Sequence, residues 1–423
     1  MGSCRLHGRG RVVRTGVVLG TRPEIIKLAD VIRGLSATER LVVDTGQHFD
    51  QELSAVFWKG LQLPLPDKVL SAVGGRSRSD QFSRIVSRTA QILDKAGCGA
   101  VLVQGDTNSA CAGALAANFI GIPVVHVEAG LRSHDRAMPE EINRKLIGVV
   151  ADLHCAPTEG SAANLRAEGV PASRIAVTGN TVVEVTLASL PDREERQNHL
   201  DRQGLIADQY ILATVHRPEN TDTAETLAGV LTALSTLPLP VLMPLHPRTR
   251  KRIAQFGLSG LLADIQVTAP LDHRAYLAFA RHAALVISDS GGMQEEVTVL
   301  KRPLLVVRRS TERPEAFASG FAQLVRPGTE LSRAAHEVLQ DRGRLVALQN
   351  TPSPFGDGMA SARILELVRS LKRVADPVVP AATESAEGER GLFRQPLRST
   401  ILTLPPEHAR STSDTHPSAA NAP

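Results

Sequence analysis

Short apolar runs alternate with amphipathic stretches along nearly the whole chain. Val12–Leu19, Leu41–Val43, Val101–Val103, Pro123–Val127, Leu153–Ala156 and Ile175–Val177 read as strands. A second series follows: Tyr210–Val215, Val241–Pro244, Ile265–Thr268, Leu285–Ser288 and Leu304–Val307. Strand–helix alternation of this kind predicts parallel sheets with helices on both faces. Two series predict two doubly wound, Rossmann-like α/β domains, expected over 12–180 and 181–373. The break falls after Asn180, where Pro191-Asp192-Arg193-Glu194-Glu195-Arg196 is charged and lacks strand character. Open α/β sheets bind ligands beyond the carboxyl ends of their strands, so two such domains are expected to share one cleft.

The ends read differently. Residues 1–11 are basic but lack the apolar core of a signal peptide and read as an extension. Residues 374–423 are rich in Pro, Ala, Ser and Thr, lose periodicity, and read as a disordered tail. One apolar island, Ile401-Leu402-Thr403-Leu404, interrupts that tail.

Composition narrows the class. Of 423 residues, 42% are hydrophobic and 22% charged, which suits a globular chain long enough for two cores. The net charge of +4 is small and the arginines are scattered, which argues against a nucleic-acid partner. No apolar run approaches a membrane span. Cys4, Cys98, Cys111 and Cys155 have neither metal-ligand nor disulfide spacing, so a reducing cytoplasm is expected.

Six polar segments stand out, five of them at or just after predicted strand ends. Ser290-Gly291-Gly292 follows Leu285–Ser288 and opens a helical pattern. A glycine turn at a helix start lets backbone N–H groups approach an anion, and Glu295 and Glu296 come one turn later, placed for sugar hydroxyls. Arg22 and Lys27 follow the first strand, where a phosphate would meet them. Gly105-Asp106-Thr107-Asn108 and His126-Val127-Glu128-Ala129-Gly130 each put a carboxylate at a strand end. Met138-Pro139-Glu140-Glu141-Ile142-Asn143-Arg144 puts two more in the first turn of a helix. Singly, each acid reads equally well as a cap or a solvated charge. Together, Asp106, Glu128 and Glu140 form a set suited to proton transfer. In the second half, His216 follows Tyr210–Val215 and can serve a leaving phosphate or a proton transfer. His246 is similar, with a structural role as good a reading. No Walker A, dinucleotide fingerprint, zinc set or G-x-S-x-G elbow is present, and no cofactor is expected.

Gly20-Thr21-Arg22-Pro23-Glu24, Thr45-Gly46-Gln47-His48, Gly105-Asp106-Thr107, His126 to Ser133, Pro139 to Arg144, Ser290 to Glu296 and Thr311-Glu312-Arg313-Pro314-Glu315 occur in one order from about residue 12 to 370. In this the chain resembles the non-hydrolysing UDP-N-acetylglucosamine 2-epimerases. The resemblance implies a GT-B-type fold, a homodimer, and interconversion of UDP-N-acetylglucosamine and UDP-N-acetylmannosamine without a cofactor. It implies that Asp106, Glu128 and Glu140 handle the carbon-2 proton, and that Arg22 and His216 stabilise the departing diphosphate. Ser290, Gly291 and Gly292 would hold the phosphates and Glu296 the ribose. Arg313 would take the sugar or phosphate end and Tyr276 the uracil, with Lys27, Arg144 and His246 completing the substrate-binding set. Bacterial members bind a second UDP-N-acetylglucosamine as an activator through residues matching Gln47, His48 and Gln81. Here Asp50 and Asp80 are acidic where that site takes neutral or basic groups, which argues against activation. Gly148-Val149, Arg309 and Arg78 also depart from the family pattern.

Three other readings remain open on sequence. Phe49 to Phe57 also resembles epimerases of UDP-2,3-diacetamido-glucuronate, whose extra carboxylate Arg309 or Arg78 would meet. A GT-B glycosyltransferase would use the same UDP pocket, and a non-catalytic binder would need no acid set.

Overall fold

The computed structural model describes residues 14–47, 58–59, 61–71, 73, 75, 77–341 and 343–374. The expected N-terminal extension, the Phe49–Phe57 run and the tail beyond Val374 lie outside the described residues.

The first half holds β1 (Arg14–Leu19), β2 (Arg40–Asp44), β3 (Lys68–Val69), β4 (Cys98–Gln104), β5 (Val124–Val127), β6 (Leu153–Ala156) and β7 (Ile175–Val177). They form one parallel sheet in the order β3-β2-β1-β4-β5-β6-β7. The second half holds β8 (Ile211–Thr214), β9 (Val241–Pro244), β10 (Ile265–Thr268), β11 (Leu285–Ser288), β12 (Leu304–Val307) and β13 (Ala322–Val325), in the order β10-β9-β8-β11-β12-β13. Strands covered on both faces need apolar residues at every position, and the sequences oblige. Val17, Val18 and Leu19 of β1 and Leu285, Val286 and Ile287 of β11 are all fully buried. The reversal of strand order falls between β1 and β4 in one sheet and between β8 and β11 in the other. These are the points at which doubly wound sheets open a crevice.

The chain crosses between the halves twice, side by side. At the first crossing Asn180 N donates to Phe355 O, 2.8 Å away on the second. Gly356 sits so close there that a Cβ on it would lie 3.1 Å from Gly179 Cα. After this return the helix Ala360–Val374 packs on the first sheet, not the second. Ile364, Leu365, Leu367, Val368 and Leu371 join Val17, Leu28 and Ile32 in one core. Its apolar stripe has the right period for either half, so sequence spacing cannot choose the partner. Among the described residues no helix is long and apolar enough to cross a membrane.

Candidate active site

The loops after β1, β4 and β5 face those after β8, β11 and β12 across a cleft of about 620 Å³. Asp106, Glu128, Glu140, His216, Arg22, Lys27, Arg144, His246, Tyr276, Ser290, Gly291, Gly292, Glu296 and Arg313 all line it. Widely separated segments therefore meet where the strand-end argument expects them to.

The three acids stand in different surroundings. Asp106 follows Gly105, whose φ of +70° makes the turn after β4. Its Oδ2 takes a fork from Arg144, with Nε at 2.9 Å and Nη2 at 2.7 Å. Asn143 Nδ2 donates to Asp106 O at 2.8 Å, fixing the same loop. Glu128 follows β5 with φ +63°, a left-handed conformation that is costly for a side chain bearing a Cβ. It is buried and held by Lys27 Nζ at 2.7 Å, by Arg313 Nη2 at 3.2 Å and by Gln104 Nε2. Glu140, in the first turn of the helix Pro139–Val150, is exposed on the cleft wall. Among the described residues it has no hydrogen-bonded or ionic partner. One acid is forked, one is clamped and one is open.

Two buried groups prop this wall. Glu24 accepts from Gly20 N at 3.0 Å and Thr107 Oγ1 at 2.7 Å, tying the β1 turn to the β4 turn. Burial pushes its carboxyl up to about 7, against those hydrogen bonds. His126 Nε2 lies 2.8 Å from Gly105 O, so the ring donates there. Burial pushes His126 down to about 4, which keeps it neutral and anchored beneath the Asp106 loop.

On the facing side, Asp289 lies directly after β11 and is fully buried. Its Oδ2 accepts from His216 N at 2.9 Å, Arg217 N at 2.7 Å and Asn220 Nδ2 at 3.0 Å. His216 Nδ1 lies 3.1 Å from Asp289 Oδ1, a contact that orients the ring. Burial raises the Asp289 carboxyl, but His216 and the donated N–H bonds outweigh it and hold it below its ordinary range. The His246 ring stacks at 5.2 Å from that of His216.

Ser290, Gly291 and Gly292 then open the helix Met293–Leu300. Glu296 accepts from His273 Nε2 at 3.0 Å. Burial lowers His273, yet Glu296 and Asp272 outweigh it and the net shift is upward, towards an ion pair. Tyr276 OH meets Thr214 Oγ1 at 3.2 Å. Glu295, expected beside Glu296 for sugar hydroxyls, is fully buried and does not line the cleft. One helical position apart, the two carboxylates point to different sides.

Gln47 Oε1 accepts from Ser109 N at 2.8 Å and from Ser109 Oγ at 2.6 Å, and neither it nor Gln81 lines the cleft. His48 lies outside the described residues. Asp289, His273, Gln104, Arg217 and the prop formed by Glu24 and Thr107 are the groups sequence reasoning gave no role. For Asp289 the signal existed: a carboxylate immediately after an apolar strand. Among the described residues no cluster of three or more His, Cys, Asp or Glu could hold a metal ion.

The family model described as UDP-N-acetylglucosamine 2-epimerase matches residues 32–369. A UDP-N-acetylglucosamine 2-epimerase of Methanococcus maripaludis is 36% identical over 370 residues, covering 85% of this chain and 99% of the relative. A UDP-2,3-diacetamido-2,3-dideoxy-D-glucuronate 2-epimerase of Pseudomonas aeruginosa is 34% identical over 368 residues, 84% of this chain and 99% of the relative. The crystal structure of Methanocaldococcus jannaschii UDP-GlcNAc 2-epimerase in complex with UDP-GlcNAc and UDP superposes with a TM-score of 0.76 at 36% identity. It covers 85% of this chain and all of that one (100%).

Proposed function

The chain belongs to the UDP-N-acetylglucosamine 2-epimerase family, and from that premise we propose that it interconverts UDP-N-acetylglucosamine and UDP-N-acetylmannosamine. The fold is the family's GT-B type, two Rossmann-like sheets across a cleft. The observation that carries the reading is the meeting of three carboxylates from the first sheet with His216 and the Ser290–Gly292 helix start from the second.

Carbon 2 of an N-acetyl sugar has no neighbouring carbonyl to acidify its proton. Elimination avoids that difficulty. A carboxylate takes the carbon-2 proton, the C–H pair becomes a carbon 1–carbon 2 double bond, and the C1–O pair departs with UDP. Re-addition returns the proton to the opposite face while a UDP oxygen attacks carbon 1. The sum is an isomerisation, balanced without oxidant or cofactor.

In this account Asp106, Glu128 and Glu140 share the proton work, and Glu140 is the acid free to swing. Arg144 and Lys27 keep Asp106 and Glu128 aimed. Arg22, His216 and the helix start at Gly291-Gly292 receive the negative charge that grows on UDP, with His246 stacked behind His216. Glu296 and His273 suit the ribose, Tyr276 the uracil and Arg313 the sugar end.

The diacetamido-glucuronate reading is not favoured. Arg309 lines a different cavity, and Arg78 bonds Asn108 Oδ1 at 3.2 Å outside the cleft, so neither is there for an added sugar carboxylate.

We also propose a cytoplasmic homodimer. Buried Cys111 and Cys155, which form no disulfide among the described residues, suit a reducing compartment. Phe119 (70% exposed) and Val149 (80% exposed) leave apolar surface on neighbouring helices of the first half that a second copy would cover. The test of function is conversion of each UDP-sugar by the purified protein. Approach to one ratio from both sides supports the reading, and consumption only with an added acceptor would make the protein a glycosyltransferase.

A further inference from the structure

Glu295 touches both halves of the molecule and the crossover between them. Its Oε2 accepts from Lys27 Nζ, in the first half, at 2.9 Å. Its Oε1 accepts from Asn180 Nδ2, at the first crossing, at 2.9 Å. The same Oε1 lies 2.8 Å from Arg313 Nε in the second half. Lys27 and Arg313 are also the two cations that hold Glu128, at 2.7 Å and 3.2 Å. Two cations and two carboxylates thus make a buried quartet, and Glu312 pairs with Arg313 as well. Glu128 is the only carboxylate of the quartet that reaches the cleft. Burial, with Glu128 nearby, raises the Glu295 carboxyl above its ordinary range, although Arg313 and Lys27 oppose that rise.

Sets of this kind contribute little net stability, because desolvation offsets most of the Coulomb gain. What they fix is geometry. Lys27 and Arg313 each divide their charge between Glu128 and Glu295, so neither settles wholly on Glu128. The left-handed backbone at Glu128 is a strained conformation that these contacts hold in place.

We infer that Glu295 is a positioning residue: it keeps Lys27 and Arg313 from settling wholly on Glu128 and, with Asn180, locks the two halves in register, so that Glu128 meets carbon 2 in a fixed place. This rests on the epimerase reading of the cleft. Without the Glu295 charge, both cations close on Glu128, its carboxylate is drawn from its place at carbon 2, and the two halves lose their shared anchor. The UDP contacts proposed at Ser290–Gly292 and Glu296 stay in place. The cost therefore falls on the proton step and not on nucleotide binding.

The experiment compares wild type, Glu295→Gln and Glu295→Asp, with UDP affinity and site number measured by calorimetry and turnover expressed per UDP-binding site. The Gln variant is expected to lose about tenfold or more in kcat with the UDP Kd within about threefold, and the Asp variant to fall between it and wild type. An unchanged kcat per site, or a UDP affinity that falls in step with turnover, overturns the inference. Should the Gln variant not fold, the Asp variant decides by the same split. A wild type without turnover overturns the functional reading instead, and a turning-over wild type beside an unaffected variant overturns only this one.

Discussion

His216 Nδ1 sits 3.1 Å from Oδ1 of Asp289, and the same carboxylate accepts the backbone N–H of His216. The imidazole is thereby held in one orientation, with Nε2 left for the cleft. His216→Asn should lower kcat about 10²-fold by removing a donor from the departing diphosphate. Asp289→Asn should lower kcat too, and should also cost about 1–3 kcal/mol of stability by breaking buried charge-assisted bonds. Steady-state kinetics and thermal melts on both variants check this split. An Asp289→Asn protein that melts like wild type would contradict it.

Glu140 and Asp106 should separate in the same way. Glu140 is exposed and unpartnered, so Glu140→Gln should leave stability within about 0.5 kcal/mol while lowering kcat about 10²-fold or more. Asp106→Asn should lower kcat comparably and also release Arg144, whose fork lies at 2.7 and 2.9 Å, at a measurable cost in melting temperature. Both should still bind UDP. Full activity in Glu140→Gln would remove that residue from the mechanism.

The glycine turn gives a test that separates fold from ligand. Gly292 has φ −62° and ψ −34°, and nothing lies within 4 Å of a Cβ added there. Gly292→Ala should therefore keep or raise stability by up to about 1 kcal/mol, yet weaken UDP at least about tenfold by filling the phosphate approach. Gly291→Ala should lose both, since its Cβ would lie 3.1 Å from Arg313 Nη1 and 3.3 Å from Glu312 Oε1. Melts with and without UDP distinguish the two. Undiminished UDP binding in Gly292→Ala would move the phosphates elsewhere.

Glu24 sets a pH dependence. Burial raises its folded pKa from 4.5 to about 7, so the native state holds this proton more tightly than the unfolded chain does. The resulting stability is fully present below pH 4.5 and is lost as pH rises to about 7. The shift corresponds to a contribution of about 3 kcal/mol at most. Glu24→Gln, neutral throughout, should gain on wild type across that window. Parallel stability–pH curves would show that Glu24 is ionised at all these values.

Much of this was legible in sequence because the information is local. Leu153–Ala156, Ile175–Val177 and Leu285–Ser288 are apolar runs with strand lengths, and they fold as such. The exposed two-residue Lys68–Val69 strand and the mixed Ala322–Val325 strand carry no such run, and the reading passed over them. The residues expected to handle the proton and the diphosphate line the cleft, because strand ends gather there whatever the domain details, whereas Glu295 does not. The division of labour was not legible. That Lys27 and Arg313 share Glu128 with Glu295, or that Asp289 holds His216, depends on contacts between segments up to 268 residues apart. The helix Ala360–Val374 shows the same limit: its stripe announces burial but not the partner.

Proton NMR of the wild-type protein with UDP-N-acetylglucosamine in D₂O tests the central claim most directly. The account predicts that UDP-N-acetylmannosamine appears with deuterium at carbon 2, and that the remaining UDP-N-acetylglucosamine gains the same label as the reaction equilibrates. Conversion with the carbon-2 proton retained would contradict proton transfer through these carboxylates. Absence of any exchange in a protein that still binds UDP would contradict epimerisation of this sugar.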